Sequence, residues 1–291
     1  MTRIQLTREQ VLEHSKRMRS FPRIVAEILA TIDDPNGDVR TLAQCIEHDP
    51  IIVARVLSAA NRASVRGRRE SELVDIYAAT SLIGMGRVRE IALISSLDSF
   101  VAARAQDLRS ERLWQHCVSV GVCCQELALQ VTQPVSTDLA LVAGLLHDIG
   151  QFWLYSFDAK AYQACWSEAL RSRRSIEEVE YEQFGLGHTL VGAWLARDWG
   201  LSEGICDAIQ GHQVPIAASA NPLISLVHVA EVVSNALNLS IGDENRVSFI
   251  SNAACEQLGL VWDERAQALF GRIEARSRHA NRFFSSQGHE G

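Results

Sequence analysis

Leu139–Gly150 reads LALVAGLLHDIG. Residues 139–146 are apolar without interruption, and the run delivers two polar residues, His147 and Asp148, at its far end. It holds no proline and no strand-like alternation, and Ser136 or Thr137 stands in front of it as an N-cap, so it predicts a buried helix. A buried helix that finishes on an imidazole beside a carboxylate needs partners for both, because an unpaired buried polar or charged group is costly. Either a metal centre or ordinary hydrogen bonding must satisfy them.

The flanking sequence predicts more helices. Upstream, a helix over about 111–130 places Leu113, Cys117, Val120, Cys124 and Leu127 on one stripe with His116 beside it, and Gln133-Pro134 ends the connection. Downstream, residues 159–184 read as polar helices bearing Glu177, Glu178, Glu180 and Glu182. Gly185-Leu186-Gly187 introduces a helix from His188 with Val191, Leu195 and Trp199 inward. Ser202 caps a short helix with Ile205, Ala208, Ile209 and His212 at helical spacing. Pro215 and Pro222 bracket a linker. A helix from Leu223 to Leu239 then carries His228 and Glu231, two polar-faced helices run to about Phe284, and the last residues are expected to fray.

The front of the chain is also helical by pattern. Residues 7–31 break at Phe21-Pro22, and Asp34-Pro35-Asn36-Gly37 is a stop and reversal. Val39–His48 leads to Asp49-Pro50, an N-cap followed by proline at the first helical position. The next helix carries Ile52, Val53, Val56, Leu57 and Ala60 on one face. An Arg/Gly loop at 66–69, a helix to Leu82, a Gly84-x-Gly86 break and a helix from Val88 to Phe100 complete it. Residues 1–100 contain no cluster of catalytic side-chain types, so this stretch reads as a packing unit made for interaction. The division expected is 1–105, 106–215 and 216–291, the last completing the second lobe.

Composition sets the class. The 291 residues are 47% hydrophobic and 22% charged with a net charge of −7, ordinary for a globular protein and unsuited to general attraction to nucleic acid or anionic lipid. Arg66–Arg69 and Arg171–Arg174 are locally basic, and read as solvated charge. The seven cysteines include no C-x-x-C pair, which argues against a zinc ribbon and a disulfide framework and for small core fillers in a reducing compartment. MTRIQLTREQ lacks a signal-peptide core, and no apolar run approaches the roughly 20 residues of a bilayer span. A cytoplasmic protein without a membrane partner is expected.

Four of the nine histidines, His116, His147, His188 and His212, fall at helix ends or on half-apolar faces of the second segment, and Asp148 and Glu231 add carboxylates. Imidazole nitrogen with carboxylate oxygen suits zinc, manganese or iron better than calcium. One aspartate can bridge two cations, as in two-metal phosphoester hydrolases. Taken singly, each half-buried histidine is more often a hydrogen-bonded core residue than a ligand. Recurrence on successive helices is what raises the metal reading.

The ordered pieces FPRIVAEIL, HDPIIVARVLSAANRAS, AATSLIGMGRVREIALISSL, LWQHCVSVG, AGLLHDIG, FGLGHTLVGAWLARDWGLSEGICDAIQGH and HVAEVV resemble the HDOD family (HD-related output domain) of the HD-domain phosphohydrolase superfamily, from about Phe21 to Gln213. The resemblance implies an all-α, multi-helix HDOD/HD-like fold in two helical lobes. It also implies a regulatory role in bacterial signal transduction, with a protein partner in a pathway that can be cyclic-di-GMP-related. Receiver or cyclic-di-GMP domains often accompany the family. Neither is attached here, so input is expected through a separate partner. The superfamily's ligands carry over to His116, to His147-Asp148, to His188 and His212, and to Glu231 where Asp is usual. Gln151 stands where related cyclic-dinucleotide phosphodiesterases carry Lys, Gln213 replaces a second consecutive His, and QVPIAA replaces the GYP signature. A site that binds Fe, Mn or Zn with weak or no turnover is therefore expected, on a module acting by protein–protein interaction. The competing function is a metal-dependent phosphohydrolase acting on a nucleotide or cyclic dinucleotide. Nucleic-acid binding through the arginine loops is the remotest reading.

Overall fold

In the computed structural model, which describes residues 3–16, 21–32, 38–66, 73–102, 108–214, 221–239 and 249–285, the chain is all-α, with no strand among the described residues. It divides into two compact units, residues 21–100 and residues 1–20 with 101–291. No described helix is long and apolar enough to cross a membrane. The expected turn at Asp34–Gly37, most of the Arg/Gly loop and of QVPIAA, and the end of the chain lie outside the described residues.

The smaller unit begins with α2 (Arg23–Ile32), α3 (Val39–Ile46) and α4 (Pro50–Arg66), and closes with α5 (Ile76–Ile83) and α6 (Met85–Ala102). Asp49 opens α4 as its spacing predicts: its Oδ1 accepts from the N–H groups of Ile51 and Ile52 at 3.0 and 3.1 Å. On α4, Ile52, Val56 and Ala60 are buried, while Val53 and Leu57 at the stripe's edge are half-buried. Gly84 separates α5 from α6 at φ +84°, a conformation side-chain-bearing residues avoid.

The larger unit holds α1 (Arg8–Lys16), α7 (Leu108–Ala128), α8 (Thr137–Leu146), α9 (Ile149–Phe157), α10 (Ala159–Ser172), α11 (Ile176–Phe184), α12 (His188–Asp198), α13 (Glu203–Gly211), α14 (Pro222–Ala236), α15 (Asn252–Leu258) and α16 (Arg265–Ser285). Ser136 caps α8, its hydroxyl meeting the Leu139 N–H at 3.4 Å. Pro222 is the first residue of α14 rather than part of a linker, with Asn221 as its cap. Ser202 stands at the start of α13, but its side chain makes no cap bond.

Two features depart from the sequence pattern. The central part of α7 is buried all round instead of along one stripe, because α8, α14 and α16 all pack on it. On the α16 side, Glu126 receives Arg272 at 3.2 Å and Arg276 at 2.7 Å. Residues 3–16 pack with the larger unit: Leu6 and Val11 enter a core with Trp153, Tyr162 and Phe184. The amides of Ile4 and Leu6 donate to the last carbonyls of α11, on Gln183 and Phe184, at 2.8 and 2.9 Å. Helix ends leave such carbonyls without intrahelical partners, and an extended strand of chain is one way to meet them.

Close helix crossings set where the polar residues end up. At the α7/α8 crossing, a β-carbon on Gly144 would lie 2.7 Å from the Cα of Gly121. At the α9/α12 crossing, one on Gly150 would run into the backbone carbonyl of His188, which brings the start of α9 against the start of α12. His228 on α14 clasps two further elements: Nδ1 lies 2.9 Å from the His212 carbonyl, and Nε2 accepts the Ser251 N–H at 3.2 Å. A carbonyl only accepts, so the Nδ1 hydrogen is fixed and both nitrogens are committed to structure.

Gly150→Ala should cost at least about 3 kcal/mol in urea denaturation, because the obstacle is backbone and not a movable side chain. Gly271→Ala, on α16 with nothing within 4 Å of the new methyl, should instead gain about 0.5–1 kcal/mol. His228→Phe should lose about 1–3 kcal/mol by leaving the His212 carbonyl unpaired in a buried place.

Candidate metal centre

The HD doublet occupies the junction of two helices. His147 ends α8 and Asp148 opens α9, and the Asp148 side chain does not cap its own helix, so the carboxylate is turned elsewhere. The His147 ring meets the Gly144 carbonyl through Nδ1 at 2.7 Å. His212, at the end of α13, repeats the device on the Ile209 carbonyl at 2.8 Å. Carbonyls in the last turn of a helix lack intrahelical donors, and each imidazole supplies one. Both rings therefore carry hydrogen on Nδ1 and send Nε2 onward, past the helix end.

His188 begins α12, where backbone N–H groups are the unsatisfied ones. Its N–H and its Nδ1 both lie 2.7 Å from Oε2 of Glu180 on α11. The other Glu180 oxygen accepts the Tyr162 hydroxyl at 2.7 Å, and the Gln151 side-chain amide meets the same hydroxyl at 3.0 Å. A phenol has one hydrogen; once it is given to the carboxylate, the Gln151 amide approaches through its NH2 group.

These local arrangements converge on Asp148. Oδ2 faces His147 Nε2 at 3.3 Å and His116 Nε2 at 4.0 Å. Oδ1 faces His188 Nε2 at 3.2 Å and His212 Nε2 at 3.8 Å. Glu231 Oε2 lies 4.0 Å from His212 Nε2. All six residues singled out in the sequence thus meet in one place. His116, His147 and Glu231 offer donor atoms within 4.8 Å of one another, and so do His147, Asp148 and His212. The heart of the centre is buried: His147, His188 and His212 are 0% exposed and Asp148 3%. Only the His116 and Glu231 side chains, at 13 and 16%, reach outward.

Electrostatics follow from that enclosure. Burial pulls His116 down to about 4, helped by His147, and pulls His212 well below the usual imidazole value for the same two reasons. Burial opposes charge on His147 and His188 too. Asp148 raises the first, and Glu180 with Asp148 raises the second well above normal. Burial would raise the Asp148 carboxyl, but His147 and His188 hold it well below the carboxylate range. Burial pushes Glu231 up to about 7. Even so, His147 Nε2, His188 Nε2 and Asp148 Oδ1 complete no hydrogen bond among the described residues. Nitrogen lone pairs aimed at a carboxylate repel it unless a cation, proton or metal, lies between. A divalent ion fits this donor set of imidazole nitrogen and carboxylate oxygen.

The substituted positions have found other work. Gln151 is buried and turned to Tyr162. The Gln213 amide lies 3.0 Å from His212 Nε2, donating to its remaining lone pair, and 3.5 Å from Glu231. Glu180, which the sequence reading left among the charges of a polar helix, is 0% exposed and joins the centre through His188. The signal was present. Ile176, Val179, Glu180, Gln183 and Phe184 share one face by helical spacing, and a glutamate on that stripe cannot reach water without abandoning the face.

A family model for the HDOD domain matches residues 18–215. The fold is similar to an HDOD domain protein of unknown function from Geobacter sulfurreducens, at TM-score 0.75 and 21% identity over 95% of this chain and 96% of that one. It is also similar to a provisionally assigned phosphohydrolase from Shewanella amazonensis SB2B, at TM-score 0.69 and 22% identity over 95% and 97%. An uncharacterised protein of Treponema pallidum (strain Nichols) is 24% identical over 216 residues, 73% of this chain, which spans 41% of that relative's length. At these identities the solved structures speak for the fold, and the family model for membership: the chain belongs to the HDOD domain family.

Proposed function

We propose that this protein is a regulatory module of bacterial signal transduction, built around a buried metal centre and acting on a protein partner. The observation that carries the reading is the sealing of Asp148 and three imidazoles from water. A metal held against these four side chains would be surrounded by protein groups, with the His116 and Glu231 side of the centre reaching outward. The ion would be held by His116, His147, Asp148, His188, His212 and Glu231, and its donors admit iron, manganese or zinc. Because those donors sit on α7, the α8/α9 junction, α12, α13 and α14, occupancy bears on the placement of every one of these helices. That is what a sensing module requires.

Gln151 adds support. The side chain that would hold a substrate phosphate, were it a lysine, is an amide engaged with Tyr162. Two of the three arginines at 171–174 are already paired, Arg171 with Glu168 at 2.7 Å and Arg174 with Glu182 at 2.6 Å, which reduces the basic patch. This favours a protein partner over nucleic acid. One observation favours the competing phosphohydrolase: each Asp148 oxygen faces its own pair of imidazoles, the layout of a carboxylate that bridges two ions. Such ions would supply an activated water for hydrolysis of a phosphate ester.

Elemental analysis of the purified protein should find bound transition metal, and His147→Ala and Asp148→Ala should not retain it. Metal added at about 100 times its dissociation constant should stabilise the wild type by about 2.7 kcal/mol and neither variant, read as a shift in thermal midpoint. Generic phosphodiesters with added manganese should not turn over. Rapid hydrolysis would replace the regulatory reading with the enzymatic one, and a wild type that takes up none of the three metals would end the metal reading.

A further inference from the structure

The three buried histidines of the centre face different local problems. His147 and His212 end helices, so a carbonyl three residues back braces each ring through Nδ1. His188 begins a helix. The residues before it are the Gly185–Gly187 turn, and no carbonyl of its own helix can hold the ring. A brace for His188 has to come from another element.

We infer that Glu180 is the positioning residue for His188, with Tyr162 as the residue that holds Glu180 in place. This rests on the metal-centre reading. One oxygen of Glu180 takes both the backbone N–H and Nδ1 of His188, fixing the ring's position and its rotation together. The other oxygen takes the Tyr162 hydroxyl, so the carboxylate cannot swing away. Residues 3–6 are tied to the carbonyls of Gln183 and Phe184 at the end of α11, which anchors the helix that carries the brace. The result is a ring whose Nε2 is aimed at Asp148 Oδ1, 3.2 Å away. The brace is also unlike the other two in charge. A carboxylate on Nδ1 makes the imidazole a stronger donor than a backbone carbonyl does, so the His188 side of Asp148 is the stronger half of the centre.

The test uses Co(II) alone as the probe, titrated into the metal-free full chain against a chelator, with the visible absorption of bound Co(II) as a second readout. Glu180→Ala should weaken Co(II) binding about 10–100-fold and shift the absorption. Glu180→Gln, which keeps an acceptor but not the charge, should fall between Ala and wild type, and Tyr162→Phe should weaken binding by less. Glu178→Gln, exposed on the same helix, should change nothing. Wild-type affinity and spectrum in both Glu180 variants would overturn the assignment. So would a loss confined to Glu180→Ala and accompanied by loss of helical circular dichroism, which would make the role structural. Failure of the wild type to take up Co(II) would overturn the metal reading instead. The brace is then judged by imidazole nitrogen NMR of the metal-free protein. The His188 Nδ1–H signal should move in Glu180→Ala, and an unmoved signal would overturn the brace independently of any metal.

Discussion

A carboxylate shut away from water, with imidazole nitrogens closing on both of its oxygens, is the constraint the larger unit is arranged to meet. Burial penalises charge on every one of these groups, and their mutual attraction has to offset that penalty. The backbone helps by placing the polar residues where helices stop or start. There the main chain has spare donors and acceptors, so a histidine can commit one ring nitrogen to the fold and keep the other for the centre. Glycines at the α7/α8 and α9/α12 crossings then let backbones approach closely enough for those helix ends to meet.

Much of this could be read from residue order. The apolar run before His147, the cap at Asp49, the Gly185–Gly187 turn and the helical spacing before His212 each state a local rule, and local rules survive folding. The meeting of His116, His147, His188, His212 and Glu231 is another matter. Spacing alone leaves ordinary hydrogen bonding as the commoner account, and the ordered family-like pieces are what raise the metal reading.

What escaped the sequence depended on neighbours distant in the chain. α7 looks amphipathic by itself but is enclosed by α8, α14 and α16. Residues 3–16 carry few apolar groups, and their place is set by backbone donors meeting unpaired carbonyls at the end of α11, which no pattern of side chains announces. Glu180 was hidden by its company: Glu177, Glu178 and Glu182 are acidic neighbours on the same short helix, and only the helical phase separates it from them. His228, by contrast, has the same residue type and helix as a credible ligand, yet both of its nitrogens are spent on the His212 carbonyl and the Ser251 amide. Residue type did not distinguish these two roles; the second nitrogen's partner did.

The same bookkeeping of ring nitrogens bears on how such a centre can signal. An exposed metal site can lose its ion and let water fill the gap at little cost to the fold. Here His147, His188, His212 and Asp148 are buried, so the departure of a bound ion would leave lone pairs opposed to a carboxylate, and the helices would have to take up protons or shift. The Gln213 amide covers the His212 nitrogen and reaches toward Glu231. That amide and a bound ion would compete for one lone pair. Were an ion bound, its occupancy would be coupled to the end of α13 through this side chain, whereas an imidazole at the same position would add a donor to the ion. An amide competing with an ion for one nitrogen would give such a centre two distinct arrangements, which is what a metal-sensing role under the proposed function would draw on.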